Sequence, residues 1–88
     1  MLKPSFTKQF DRDLKRMLKH GKDKNKIKLV ISTLINEKRL EPKNKDHKLV
    51  CNYEARRECH IEPDWLLIYK LETEMIIFER TGRHSDLF

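Results

Sequence analysis

The sequence predicts an α+β fold in which two N-terminal helices pack on one face of a small, twisted, mainly antiparallel sheet. Apolar residues recur at helical spacing in the first 37 residues, whereas alternation typical of strands begins at residue 57. Short polar turns separate the strand segments. Because 88 residues can bury only one small core, we expect a single domain over residues 1–88.

The N-terminal part carries the helical pattern. Residues 1–6 are compatible with a short strand. Apolar residues at helical spacing then predict a helix over residues 7–20, which Gly21 ends. Asp23 is suited to cap a second helix that extends to about Glu37. Two short helices cannot bury their apolar stripes against each other alone, so we expect a sheet beneath them.

The remaining sequence predicts a polar connector followed by an antiparallel meander. Residues 38–48 have one proline and no period, and they predict a basic loop. The segment from Leu49 to Cys51 is interpreted as the start of a strand, with a turn after it at residues 52–54. The meander strands are expected at residues 57–61, 65–71 and 75–80, with tight turns at 62–64 and 72–74. Thr81-Gly82 is expected to end the last strand, and residues 83–88 are expected to form a docked tail.

Charge is divided unevenly along the chain. Residues 1–48 hold 15 Lys/Arg against 6 Asp/Glu, a net charge of +9, whereas residues 49–88 hold 5 against 8, a net charge of −3. The basic half can steer a polyanion toward the C-terminal half. The same lysines can also do no more than solvate a small surface, so charge alone does not choose between these interpretations.

The cysteines and the apolar runs indicate where the protein works. Cys51 and Cys59, in a chain that shows no signal peptide, fit reduced thiols packed as small apolar groups. The longest apolar run, residues 65–69, is far too short to cross a membrane. We therefore expect a soluble cytoplasmic protein with no membrane association.

Three histidines, an aspartate and two arginines fall on connectors or strand ends that an antiparallel sheet can bring together. Histidine can donate or accept a proton near neutral pH, and arginine can hold two phosphate oxygens. RNA cleavage needs these groups, because the 2′-hydroxyl of the RNA is itself the nucleophile. The candidate residues are His47, His60, His84, Asp64, Arg80 and Arg83.

Each candidate also has an ordinary structural interpretation. His60 can be a solvated strand residue bonded to Glu58, and Asp64 suits a turn after proline. Trp65 is a common core residue, and Phe88 can serve only to anchor the tail. The residues alone therefore leave open a non-catalytic module that binds RNA or protein through its basic half.

A metal-dependent nuclease is a weaker alternative. Three histidines and one aspartate could form a zinc site, but no histidine pair has the short spacing of a zinc motif. Cys51 and Cys59 are too far apart for Cys-x-x-Cys. We therefore expect no metal ion and no other cofactor.

Three segments of the C-terminal half resemble the YafQ toxins of the RelE superfamily. They cover that half almost continuously, and the two-helix layout of the N-terminal half agrees with it. The segments are Lys45–Leu49 (KDHKL), Arg57–Lys70 (RECHIEPDWLLIYK) and Phe78–Phe88 (FERTGRHSDLF).

The resemblance implies the RelE-like fold of microbial ribonucleases and a toxin of a type II toxin-antitoxin system. Such a toxin is a ribosome-dependent endoribonuclease that cleaves mRNA in the A site and inhibits translation. Its chemistry is metal-independent acid-base catalysis with attack by the 2′-hydroxyl. The implied partners are mRNA, the 70S ribosome with its rRNA, and a cognate antitoxin, with the toxin monomeric when free and hetero-oligomeric with the antitoxin.

The resemblance also implies roles for individual residues. His84 and Asp64 become the proton-transfer candidates, while Arg80 would stabilise the phosphorane. His47 and His60 would orient groups or share the proton transfer, and which group is base and which is acid stays open. The residues expected to bind substrate are Trp65, Phe88, Arg83, Arg56 and Lys45.

Two positions depart from the family pattern. Cys51 stands where glycine is common, which suggests an ordinary backbone conformation at that turn, since a positive φ is costly for cysteine. Arg56 stands where an aromatic residue often precedes the strand arginine, and it adds a cation for RNA, ribosome or antitoxin. Neither departure removes a proposed catalytic group.

Overall fold

Two helices cover one face of a five-stranded sheet in the computed structural model, which describes residues 1–49 and 55–88. The strand order is β1-β5-β4-β3-β2, and among the described strands β1 and β5 pair in parallel while the other neighbours are antiparallel. The predicted fold class is therefore confirmed. The elements are β1 (Lys3–Phe6), α1 (Lys8–Lys19), α2 (Lys24–Ile35), a 3₁₀ turn (Pro42–Asn44), β2 (His47–Lys48), β3 (Arg57–Glu62), β4 (Trp65–Leu71), β5 (Met75–Gly82) and α3 (His84–Leu87).

Side-chain caps fix where the two long helices begin. Thr7 Oγ1 accepts a hydrogen bond of 3.0 Å from the amide of Phe10, and Asp23 accepts one of 2.9 Å from the amide of Asn25. Each bond satisfies an amide that has no partner within the helix. Gly21 has a φ of 88°, a left-handed conformation that glycine adopts without strain after a helix end.

The main core lies between the helices and the sheet. Side chains at alternate positions of β4, including the fully buried Trp65 and Leu67, meet Phe10 and Met17 of α1 and Ile27 of α2. The core also contains Val30, Leu34, Cys59, Tyr69, Ile76 and Phe78. Burial raises the pKa of the Cys59 thiol, so this cysteine is a packed apolar group, whereas Cys51 lies outside the described residues.

A smaller apolar cluster lies on the opposite face of the sheet. Leu66 and Ile68 of β4 contact Leu87 of α3 there. The predicted tail is thus a short helix that docks through Leu87, which is buried, while Phe88 is 62% exposed. This docking places α3 beside the face of the sheet that α1 and α2 leave uncovered.

The predicted end of β5 at Thr81-Gly82 is wrong, because β5 continues through Gly82. Gly82 pairs with Leu66, and a Cβ atom at Gly82 would lie only 3.0 Å from the Cβ of Asp86. The glycine therefore serves close approach of α3 and leaves the strand unbroken. Sequence reasoning took it as a breaker because glycine is usually a signal of a turn.

The predicted loop over residues 38–48 contains regular structure. Its proline starts the 3₁₀ turn, and the short β2 lies directly ahead of the predicted strand at Leu49 to Cys51. Leu49 itself follows β2 outside any strand, and the rest of that segment, together with the predicted turn at 52–54, lies outside the described residues. A strand of two residues is too short to show an alternating pattern, so β2 cannot be predicted from periodicity.

A bulge in β5 changes which face its side chains occupy. Phe78 pairs with Tyr69 and Arg80 pairs with Ile68, so Glu79 is an extra residue in the ladder. Without the extra residue Phe78 and Arg80 would project to the same face, because side chains alternate along a strand. The bulge instead sends Phe78 into the main core and Arg80 to the uncovered face.

Within residues 1–49 and 55–88, none of the helices combines the length and the apolar character needed to cross a membrane.

Candidate active site

Strand register aligns polar side chains in a row across the uncovered face of the sheet. His47 of β2 pairs with Glu58 of β3, Glu58 pairs with Ile68 of β4, and Ile68 pairs with Arg80 of β5. Directly paired residues project to the same face of a sheet. His60 lies two residues beyond Glu58 on that face, beside Leu66. The sheet therefore gathers His47, Glu58, His60 and Arg80 from three strands.

Glu58 is buried at the centre of this group. One of its carboxylate oxygens lies 3.3 Å from His60 Nε2 and 3.9 Å from His47 Nε2. The other ring nitrogen of His60 lies 3.2 Å from the carbonyl oxygen of Pro63. The Glu58 carboxylate and the Pro63 carbonyl therefore face the His60 ring from opposite sides. The contact places a carboxylate and an imidazole, two groups able to carry a proton, next to each other.

Asp64 orients the ring of His84 at the start of α3. One carboxylate oxygen accepts a 2.9 Å hydrogen bond from the amide of His84 and a 2.6 Å bond from its Nδ1. These bonds, with the backbone bond the larger influence, lower the pKa of Asp64 and keep it ionised at neutral pH. Nε2 is then the nitrogen of His84 that is left for chemistry.

His47 is held from the basic connector. Its Nδ1 donates to the carbonyl oxygen of Lys45 at 2.6 Å, and Lys45 itself has a φ of 47°. The neighbouring Asp46 accepts hydrogen bonds from Tyr69 and Arg57, which tie the connector to the sheet. The ring centroids of His47 and His60 lie 6.4 Å apart, so the connector delivers a third imidazole to the edge of the group.

Arg80 reaches from the uncovered face to the edge of β5, where its guanidinium meets the carboxylate of Asp13. Its Nε donates to Asp13 Oδ2 at 2.7 Å and its Nη2 to Asp13 Oδ1 at 3.3 Å. The Arg80 side chain is 27% exposed, whereas Asp13 is almost completely buried. The predicted cation is thus present on the site face and is fixed to α1.

The predicted substrate-binding residues are more scattered. Trp65 has no exposed surface and donates from Nε1 to Thr81 Oγ1 at 2.9 Å, so the structure places it in the core and not against solvent. Arg56 forms an ion pair with Glu79. The structure places Lys45 and Arg83 at exposed positions flanking His47 and His84, and the exposed Phe88 donates its amide to the carbonyl of His84.

Glu58 is the site residue that sequence reasoning missed. It was considered only as a hydrogen-bond partner that would make His60 ordinary. The signal was nevertheless present, because strand alternation places Glu58 and His60 on the same face. The sequence does not show that β2 and α3 pack next to Glu58 and bury it among three imidazoles.

The same group of side chains has the composition of a transition-metal site. Glu58, His60 and His84 each offer one ligand atom, and these atoms all lie within 4.8 Å of one another. Imidazole nitrogen and carboxylate oxygen together suit zinc or copper. A single ion would fit these three ligands, but it would occupy the nitrogen and oxygen atoms through which His60 and Glu58 contact each other.

The candidate site is thus a cluster of imidazole and carboxylate groups with an arginine fixed in the same sheet row, on the open face of a small α+β protein. The family model of the YafQ bacterial toxin of type II toxin-antitoxin systems matches residues 2–88. The chain belongs to that family.

Individual relatives agree over nearly the whole chain. The mRNA interferase toxin YafQ of Escherichia coli strain B/BL21-DE3 is 44% identical over 84 residues, which cover 94% of this chain and 91% of the relative. A chain of the Escherichia coli DinJ-YafQ complex has a TM-score of 0.93 and 42% identity, over 100% of this chain and 99% of that chain. A copper-bound mutant toxin from Helicobacter pylori has a TM-score of 0.95 and 39% identity, over 100% of both chains.

Proposed function

We propose that this protein is a ribosome-dependent endoribonuclease that cleaves mRNA in the A site and so inhibits translation. Membership of the YafQ family and similarity to a relative named mRNA interferase support the substrate class. The observation that carries the chemistry is the contact of 3.3 Å between Glu58 Oε1 and His60 Nε2, with His84 close to both. Cleavage needs one proton acceptor and one proton donor, and the cluster provides both.

The reaction is a transfer within the RNA strand. A base in the cluster removes the proton of the 2′-hydroxyl, whose oxygen attacks the adjacent phosphorus. An acid donates a proton to the 5′-oxygen as its bond to phosphorus breaks, so the products are a 2′,3′-cyclic phosphate and a 5′-hydroxyl. The Glu58–His60 pair and His84 take these two roles, and Asp64 orients His84 because its lowered pKa makes it a poor proton carrier.

Arg80 is the cation that offsets charge on the phosphorane. It lies in the same sheet row as Glu58, two strands away, at a separation between backbones of roughly 10 Å. The proposal places the scissile phosphate between them. His47 borders this space, with Lys45 and Arg83 at its rim.

The partners follow from the same reasoning. The strongly basic N-terminal half suits the phosphate backbone of mRNA and rRNA. Because the activity is toxic, we propose an antitoxin that binds the toxin in a hetero-oligomer, as the DinJ-YafQ complex of the relative shows for that pair. The free toxin is proposed to be a cytoplasmic monomer.

Histidine substitutions separate this proposal from a non-catalytic binding module. His84→Gln and His60→Gln are to be compared with His20→Gln, which changes an exposed histidine at the end of α1. Each variant is added to a translating extract, and cleavage of the message is mapped by primer extension. We expect cleavage by the wild type and by His20→Gln, and loss in the two cluster variants. Equal translation arrest by all four proteins without cut message would support the binding module instead.

A metal ion would act against the proposed chemistry. Copper at Glu58, His60 and His84 would occupy the atoms that must exchange protons. We therefore expect stoichiometric Cu²⁺ to inhibit cleavage and phenanthroline, which leaves the Mg²⁺ of the ribosome in place, to restore it. Stimulation by copper, or loss of activity on adding phenanthroline to the protein as purified, would instead support a metal-dependent nuclease.

A further inference from the structure

Asp13 is a buried carboxylate on α1, and a hydrophobic core does not require a charged side chain at this position. It is 1% exposed, in a helix face otherwise filled by Phe10 and Met17. Burying a carboxylate is unfavourable unless donors surround it. Asp13 receives hydrogen bonds from Arg80 (2.7 and 3.3 Å), from the amide of Thr81 (3.2 Å) and from Gln9 (2.9 Å).

The donors keep Asp13 charged. Burial by itself would raise its pKa, but the hydrogen bonds from Arg80, Gln9 and the Thr81 amide outweigh burial, so the pKa of Asp13 lies below its ordinary value. The carboxylate and the guanidinium therefore form an ion pair at neutral pH. Such a pair holds a long side chain in one conformation.

The geometry of the pair matters for the reaction. The bulge at Glu79 sends Arg80 to the site face, but a bulge fixes only the backbone and not the flexible side chain. Asp13 takes the edge of the guanidinium formed by Nε and Nη2. The ion pair therefore fixes the side chain that the bulge by itself would leave flexible.

The position of Asp13 is itself fixed by the sheet. Thr7, the cap of α1, donates from Oγ1 to the carbonyl of Glu79 at 2.8 Å, and its amide donates to the carbonyl of Phe78 at 3.2 Å. The start of α1 is therefore bonded to the same strand that carries Arg80. Asp13 then reaches the edge of β5 beyond the end of β1, at the amide of Thr81.

We propose that Asp13 is the positioning residue for Arg80, holding its guanidinium ready to receive the phosphorane without contacting the substrate itself. This inference rests on the proposed function, since it requires Arg80 to act on phosphate. Preorganising a charged group in this way lowers the reorganisation needed during reaction. A purely structural Asp13 would affect folding stability and leave the rate of the folded protein unchanged.

Asp13→Asn tests the inference, because it removes the negative charge. Its amide NH₂ group would also face one of the groups that now donate a hydrogen bond to the carboxylate. We expect kcat for message cleavage to fall, by up to about 100-fold, with little change in KM. Asp13→Glu keeps the ion pair but displaces it by one methylene, and it too should lower kcat. The matched control is Gln9→Ala, which removes another hydrogen bond to the same carboxylate and should keep the wild-type kcat in the folded protein.

Two measurements show whether the effect passes through Arg80. Asp13→Asn combined with Arg80→Ala should be no slower than Arg80→Ala alone. In ¹⁵N spectra the Nε–H signal of Arg80 should be protected from exchange in the wild type and in Gln9→Ala, and lose that protection in Asp13→Asn.

Wild-type kcat in folded Asp13→Asn or Asp13→Glu, or independent effects that multiply in the double variant, would overturn the inference while Arg80→Ala stays slow. If Arg80→Ala cleaves normally, the proposed role of Arg80 fails instead, and the inference about Asp13 fails with it.

Discussion

Glu58 Oε1 lies 3.3 Å from His60 Nε2, while the opposite ring nitrogen of His60 lies 3.2 Å from the carbonyl oxygen of Pro63. Two acceptors therefore face one imidazole from both sides. This relationship places a carboxylate in contact with a candidate imidazole, so Glu58 is proposed to take part in the acid-base group.

Replacing Glu58 by glutamine should abolish most of the activity. Glutamine keeps the size of the side chain but cannot carry a transferable proton, so we expect cleavage to slow by about 100- to 10,000-fold. Single-turnover cleavage on programmed ribosomes measures this rate. Glu41→Gln is the matched control, because Glu41 is an exposed carboxylate in the connector. Normal cleavage by folded Glu58→Gln would remove Glu58 from the mechanism.

Asp64→Asn tests the orienting role of Asp64. The amide can still accept the bond from the His84 backbone, but it no longer stabilises a positive charge on the ring, so we expect a rate loss of about 10- to 1,000-fold. Because the pKa of Asp64 is lowered, its carboxylate is ionised throughout pH 5 to 8. The loss should therefore be present at every pH in that range. Wild-type rates in folded Asp64→Asn would contradict the orienting role.

Trp65→Phe decides between a core and a substrate-binding role for the tryptophan. The change removes the buried hydrogen bond to Thr81 and leaves a small cavity, so we expect the free energy of unfolding to fall by about 1 to 3 kcal/mol. The KM for programmed ribosomes should stay unchanged. Unaltered stability in urea titrations together with a raised KM would instead mean that Trp65 meets the substrate.

Stability should fall on acidification because several carboxylates have pKa values lowered in the folded state. A carboxylate of this kind stabilises the fold fully above its ordinary pKa of about 4, and this contribution is lost as the pH falls further toward the folded-state pKa. The melting temperature should therefore vary little with pH around pH 6 and decrease as the pH falls below about 4. A melting temperature that is flat or rising down to pH 3 would contradict the assigned contacts. The carboxylates are Asp13, Glu62, Asp64 and Asp86.

Periodicity predicted the helices and the central strands because their patterns are set by burial. The observed α1 and α2 lie within one or two residues of the predicted ranges, and β4 has the predicted bounds. The local sequence pattern wrongly predicted a strand end at Gly82, where the missing side chain instead allows α3 to approach closely. The alternation of residues also gave no indication of the bulge at Glu79. Both are consequences of tertiary contacts.

The site was predictable only in part for the same reason. His60 and His84 could be singled out by their chemistry, and the structure brings their rings within 5.8 Å of each other. Alternation places Glu58 on the same face as His60, but the burial of Glu58 and of Asp13 could not be recognised, since a glutamate in a strand and an aspartate in an amphipathic helix are ordinary surface residues in most sequences. Their burial depends on which elements pack around them.

The chemistry of the cut ends tests the central claim most directly. Message translated with the purified toxin, in the presence of phenanthroline, should be cut within A-site codons and leave a 2′,3′-cyclic phosphate and a 5′-hydroxyl. These ends require attack by the 2′-hydroxyl and are read by selective ligation of each terminus. A 3′-hydroxyl with a 5′-phosphate, or intact message during translation arrest, would contradict the proposed mechanism.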